Sequence, residues 1–181
     1  MVEGVIRTRV GYAGGKKAAP TYMRIGDHTE TVQVDFDPTR ITYAQLLNVV
    51  WESHTPTGRN TPGQYMHAVF FHNDRQRKTA LASKQALEQK SGQTVTTRIL
   101  PVRTFTMAEG YHQKYILKQH AGLVRELTAI YPDHRDLVAS TVAARLNGYA
   151  GGYGTKDQLA REIEALGLSE HGKALVIKMA R

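Results

Sequence analysis

Tyr22, Glu30 and Tyr65, with the polar loop "TPTGRNTPGQY" running into Tyr65, are the residues of this chain whose types suit proton transfer. A carboxyl group flanked by two phenols and apolar walls holds its proton near neutral pH, so such a trio can act as acid and hydrogen-bond donor. Tyr22 follows a glycine loop, while Glu30 and Tyr65 each open a strand-like run, and strand ends with loops around them are where sites gather. Taken alone, two tyrosines and a glutamate are also ordinary surface residues. The 181 residues contain no cysteine, which excludes disulfides, thiolate metal sites and a cysteine nucleophile from the chain as it stands. His54, His67, His72 and His112 lack a tight metal-ligand spacing and read as core or surface histidines, so no bound cofactor or metal is expected.

The elements that must position these residues follow from periodicity and punctuation. Alternation predicts strands over 5–10 and 30–36; in the second, Val32, Val34 and Phe36 share one face. Thr42 can cap a helix whose Tyr43, Leu46, Leu47 and Val50 form one stripe. A third strand is expected over 65–72, then a helix beginning at Asp74 and ended by Gly92, then a fourth strand in "TVTTRILPV". The order is therefore β, β, α, β, α, β. After "MAEGYHQKYIL" no strand-like run follows, and helices are expected at about 121–130, 134–146, 156–166 and 170–180.

The pentapeptide "GYAGG" occurs at 11–15 and again at 148–152, but the flanks share nothing, so it is not a repeat unit. The second copy reads as a helix stop at Gly148 and a connector to the next helix, where Thr155 and Gln158 fit a capping box; Gly167 ends that helix. Hydrophobic residues make up 41% of the chain and charged residues 22%, an ordinary globular composition without a membrane-spanning run. With no secretory signal at "MVEGVIRTRVGY", the expected location is the cytoplasm. The formal charge of +8 suits acidic partners, yet Arg7, Arg9, Lys16, Lys17 and Arg24 are scattered without an aromatic stacking motif. Nucleic-acid binding is therefore the weakest of the readings weighed, and a membrane is not expected as a partner.

The segments "GVIRTRVGYAGG", "PTY", "DHTETVQVDFDP", "YAQLLNVVWESHTPT", "GQY" and "AEGYHQKYILK", in that order, resemble the peptide methionine sulfoxide reductase A family from about residue 3 to 120. The resemblance implies a mixed α/β fold, a ferredoxin-like plait over 1–120, with a helical extension over 121–181 outside it. It also implies a reductase for the S-epimer of methionine sulfoxide, in proteins or free, in which a cysteine thiolate attacks the sulfoxide sulfur and thioredoxin or another thiol regenerates the enzyme. On that pattern Glu30 supplies the proton to the departing oxygen, Tyr22 and Tyr65 hydrogen-bond it, and Asn60 stands where the family has aspartate. Asn60 cannot carry that carboxylate's charge, though it can orient a water or a backbone group.

On this resemblance the family's Gly-Cys-Phe-Trp-Gly segment would lie just upstream of Met1, so a truncated, catalytically incomplete form is expected. Loss of a first strand and the helix after it would leave strand edges unpaired and an apolar face uncovered. Three explanations are open: an upstream start, an upstream selenocysteine whose codon is read as a stop, or a genuine short protein that binds methionine sulfoxide or a partner without turnover.

Overall fold

The computed structural model describes residues 1–181. The chain is mixed α/β with a helical C-terminal part, as expected, and it divides into two compact units. One comprises Val10–Val32 and Pro38–Ala108; the other comprises Met1–Arg9, Gln33–Asp37 and Glu109–Arg181.

In the first unit local signals do most of the work. Helix α1 (Tyr43–Glu52) starts at a full capping box: Gln45 N donates to Thr42 Oγ1 at 3.2 Å while Thr42 N donates to Gln45 Oε1 at 2.8 Å. Helix α2 (Asp74–Ser91) is capped by Asn73, whose Oδ1 accepts from Gln76 N at 2.9 Å, and ends at Gly92. Leu47 and Trp51, one turn apart on α1, pack with Val69, Ala80 and Val95 in the unit's core, and Trp51 Nε1 donates to Ser83 Oγ at 2.7 Å. This core backs a parallel pair, β3 (Ala68–Phe71) and β4 (Arg98–Pro101), in the register Ala68↔Arg98 to Phe71↔Pro101. Helix α2 forms the crossover that parallel pairing requires.

The remaining strands are β1 (Val5–Ala13), β2 (Thr29–Phe36) and β5 (Phe105–Met107), in a separate three-stranded sheet of order β2-β1-β5. The pairing of β1 with β5 is antiparallel, Gly11↔Met107 to Ala13↔Phe105. Sequence periodicity does not reveal β5, because three residues are too few to show alternation; the strand exists through its partner. The third expected strand is shorter than its pattern, beginning at Ala68 rather than 65, which leaves Tyr65 in a loop.

The second unit holds its own core: Leu123 and Leu127 of α3 (Ala121–Ile130), Leu137 of α4 (His134–Ala139), and Leu146 and Tyr149 of α5 (Thr141–Ala150). Leu159 of α6 (Lys156–Glu162) and Val176 of α7 (Glu170–Ile177) complete it. The single helix expected over 134–146 is two helices. Ser140 takes an extended backbone, ψ 143°, and its Oγ accepts from Ala143 N at 3.0 Å, so it caps α5 and interrupts the run. Gly148 is not a helix stop either: α5 continues through it to Ala150, because Tyr149 is fully buried and its hydroxyl donates to Glu162 Oε1 at 2.5 Å. Of the capping box expected at Thr155 only one half forms, Gln158 N donating to Thr155 Oγ1 at 3.2 Å, because the Gln158 side chain bonds the Met1 main chain instead.

Candidate functional site

The first "GYAGG" leaves β1 with Tyr12 and Ala13 buried and turns back over the segment that precedes β2. Gly15 is required by close approach, since a Cβ there would sit 2.5 Å from His28 Cδ2. The loop is clasped by two side chains. Asp27 accepts from Lys16 N at 2.9 and 3.0 Å and from Lys17 N at 3.2 Å. Buried His28 accepts from Gly15 N at Nδ1, 3.3 Å, which leaves Nε2 as the N–H that donates to Lys17 O at 2.8 Å. The amides of Lys16 and Lys17 hold the Asp27 carboxyl below its ordinary range. A carboxylate with a depressed pKa contributes order above its unfolded pKa and loses it as pH falls through the folded value. The clasp should therefore hold at neutral pH and open in acid. Asp27→Asn should loosen the loop already at neutral pH, seen as faster amide exchange at Lys16 and Lys17 with β3 and β4 unaffected.

Tyr22 lies in the single helical turn Tyr22–Arg24 that follows this loop, 40% exposed. Glu30 is the second residue of β2 and is exposed. Its main-chain N donates to Gln64 O at 2.9 Å, and its Oε1 accepts from Gln64 Nε2 at 2.7 Å. Thr29 Oγ1 adds a bond to Gly63 O at 3.0 Å. Three bonds thus stitch the start of β2 to the segment immediately before Tyr65, a residue that is 72% exposed. The structure ties Glu30 to the loop carrying Tyr65, and it leaves all three side chains at the surface rather than inside the apolar walls that the residue types suggest.

Asn60 is committed elsewhere. Its Nδ2 donates to His67 O at 2.8 Å and Thr96 O at 2.9 Å, and its Oδ1 accepts from His67 N at 2.8 Å. Of the two tasks suggested by its chemistry, it performs the one toward backbone groups, locking the approaches to β3 and β4. His54 is likewise structural: Nδ1 meets Val50 O and Nε2 meets Thr97 Oγ1, at 2.8 and 2.7 Å, and burial pushes its pKa down. Sequence reasoning missed Gln64 and the Asp27–His28 clasp. The signal for Gln64 was its place beside Tyr65 in "GQY"; nothing local marks its bond to a residue 34 positions away.

A family model described as peptide methionine sulfoxide reductase matches residues 1–146, and one described as selenoprotein methionine sulfoxide reductase A, helical domain, matches 133–179. A peptide methionine sulfoxide reductase of Drosophila melanogaster is 41% identical over 169 residues, covering 92% of this chain and 67% of that protein. Peptide methionine sulfoxide reductase A5 of Oryza sativa subsp. japonica is 42% identical over 153 residues, with 81% of this chain and 59% of the relative covered. The chain thus spans 59% to 67% of the length of these two relatives. Among solved structures, reduced Mxr1 from Saccharomyces cerevisiae is similar with a TM-score of 0.59 and 30% identity, covering 66% of this chain and 74% of that one.

Proposed function

The chain belongs to the peptide methionine sulfoxide reductase family, and on that premise we propose that these 181 residues carry the oxygen-handling side of a methionine-S-sulfoxide reductase. Glu30 gives its proton to the sulfoxide oxygen as the S–O bond breaks, and the hydroxyls of Tyr22 and Tyr65 hydrogen-bond that oxygen. The observation that supports this reading is the stitch from Thr29 and Glu30 to Gly63 and Gln64, which ties the acid to the loop that carries Tyr65. The nucleophile is not among these residues, since none is cysteine. A thiol or selenol is the group to expect, and the helical-domain model's description as part of a selenoprotein supports the selenol. Thioredoxin or another thiol reductant would regenerate it, and the substrate is oxidised methionine, in proteins or free. The helices from 121 onward form a C-terminal extension; a separate helical-domain model over 133–179 supports a distinct helical part, although the reductase match runs on to 146.

The missing cysteine also favours a second reading, in which the chain binds methionine sulfoxide or a partner without turnover. Both readings require the sulfoxide to bind. N-acetyl-methionine-S-sulfoxide methylamide should perturb the resonances of Tyr22, Glu30 and Tyr65 with a Kd on the order of 1 mM, as suits an open site. Glu30→Gln should leave the fold intact and remove most of the pH dependence of binding. Absence of any response at these three residues at saturating ligand would sink the shared site.

A further inference from the structure

Gln64 faces Glu30 with both ends of its hydrogen-bonding capacity. Its main-chain oxygen accepts from Glu30 N at 2.9 Å, and its side-chain Nε2 donates to Glu30 Oε1 at 2.7 Å. Its neighbour Gly63 is fixed as well, accepting from Thr29 Oγ1 at 3.0 Å and from Met66 N at 3.1 Å. Gly63 has φ +121°, a conformation closed to side chains in practice, so the turn that aims Gln64 depends on glycine.

A carboxyl group has two oxygens, and an acid that acts on a substrate must present its proton from the right one. An amide N–H pointing at one oxygen favours that oxygen as acceptor and disfavours an O–H there, where two hydrogens would face each other. We propose that Gln64 is the positioning residue of this site: by donating to Oε1 it keeps the proton of the Glu30 carboxyl on Oε2, the oxygen left for a sulfoxide. The proposal rests on the reading of Glu30 as the acid, and its first test is independent of that reading.

In the full ¹⁵N-labelled chain, the Gln64 side-chain amide is identified by its loss in Gln64→Ala and followed as pH is lowered through the titration of the Glu30 carboxyl. The bonded amide proton should shift as Glu30 gains its proton yet stay downfield at both extremes, because Oε1 accepts in either state. In Glu30→Gln the shift should vanish. An amide indifferent to the ionisation of Glu30, or one that collapses to the free-amide position when Glu30 protonates, overturns the proposal. In the second test, Gln64→Ala should weaken binding of N-acetyl-methionine-S-sulfoxide methylamide about two- to tenfold, the range for one lost hydrogen bond, with its backbone spectrum otherwise unchanged. Wild-type affinity in that variant overturns the positioning role. A wild-type chain that ignores the sulfoxide while its Gln64 amide still follows Glu30 overturns the functional reading and supports the contact on its own.

Discussion

Purified chain of these 181 residues, verified by intact mass, should show no turnover of a methionine-S-sulfoxide peptide with dithiothreitol as reductant. Reduction needs a group that attacks the sulfoxide sulfur, and sulfur chemistry of that kind needs a thiolate or its selenium analogue. The five methionines offer only thioethers, which form no sulfenic acid. Dithiothreitol can attack from solution, but at ~10 mM it replaces a positioned nucleophile of effective molarity about 10⁵ M or more, a deficit of at least ~10⁷-fold. General acid catalysis by Glu30 returns only about 10²–10⁴ of that. The balance leaves a rate far below detection in a coupled assay. Supplying the nucleophile in trans, as a Gly-Cys-Phe-Trp-Gly peptide at about 1 mM, leaves a deficit of ~10⁸-fold by the same arithmetic and should not restore turnover either. Turnover by the unsupplemented chain would show that the proton-donor assignment accounts for too little, and that an unrecognised group does the attack.

The parts of this molecule legible in its sequence are those fixed by short-range chemistry. Helix α1 is announced by Thr42 and Gln45, which bond one another across a single turn, and the end of α2 by Gly92. Strand β2 shows in the alternation of Val32, Val34 and Phe36. What escaped depends on partners distant along the chain. Residues Phe105–Met107 become a strand only because Gly11–Ala13 lie alongside them. Gly148 remains helical because Tyr149, one residue on, is drawn into a buried bond with Glu162, and glycine's preference for ending a helix is weaker than that. The site divides in the same way. Glu30 and Tyr65 stand in motifs of the family, while Gln64's bond across 34 positions and Asn60's three bonds to backbone are invisible until the chain is folded.

Glu162→Ala should destabilise the helical part of the chain strongly for a polar substitution, by about 3 kcal/mol. Glu162 gathers three donors: Arg145 Nε at 3.1 Å, Arg145 Nη2 at 2.7 Å and the Tyr149 hydroxyl at 2.5 Å. The Arg145 side chain is only 10% exposed, so removing its carboxylate strands a guanidinium that keeps one bond, from Nη1 to Val2 O at 3.2 Å. The Tyr149 hydroxyl, in a residue with no exposed surface, loses its acceptor at the same time. Breaking a fully buried pair costs about 3–5 kcal/mol, and the lower end applies because 24% of the Glu162 side chain reaches water. For a chain of this size the loss corresponds to roughly 6–12 °C in Tm. Glu3→Ala is the control, since its pair with Arg161 is 56% and 64% exposed and should matter by less than about 1 kcal/mol. Far-ultraviolet circular dichroism sums the helices of both units, while the single tryptophan, Trp51, reports on the other unit alone, so a loss of helix signal without a change at Trp51 marks the helical part. Replacing the pair together, Arg145→Met with Glu162→Leu, should recover much of the loss, because two apolar side chains need no partners in a core of Leu146, Leu159 and Val176. Equal stability of Glu162→Ala and Glu3→Ala would mean that the Arg145–Glu162–Tyr149 cluster does not hold the helices together, and that the leucine core alone sets their stability.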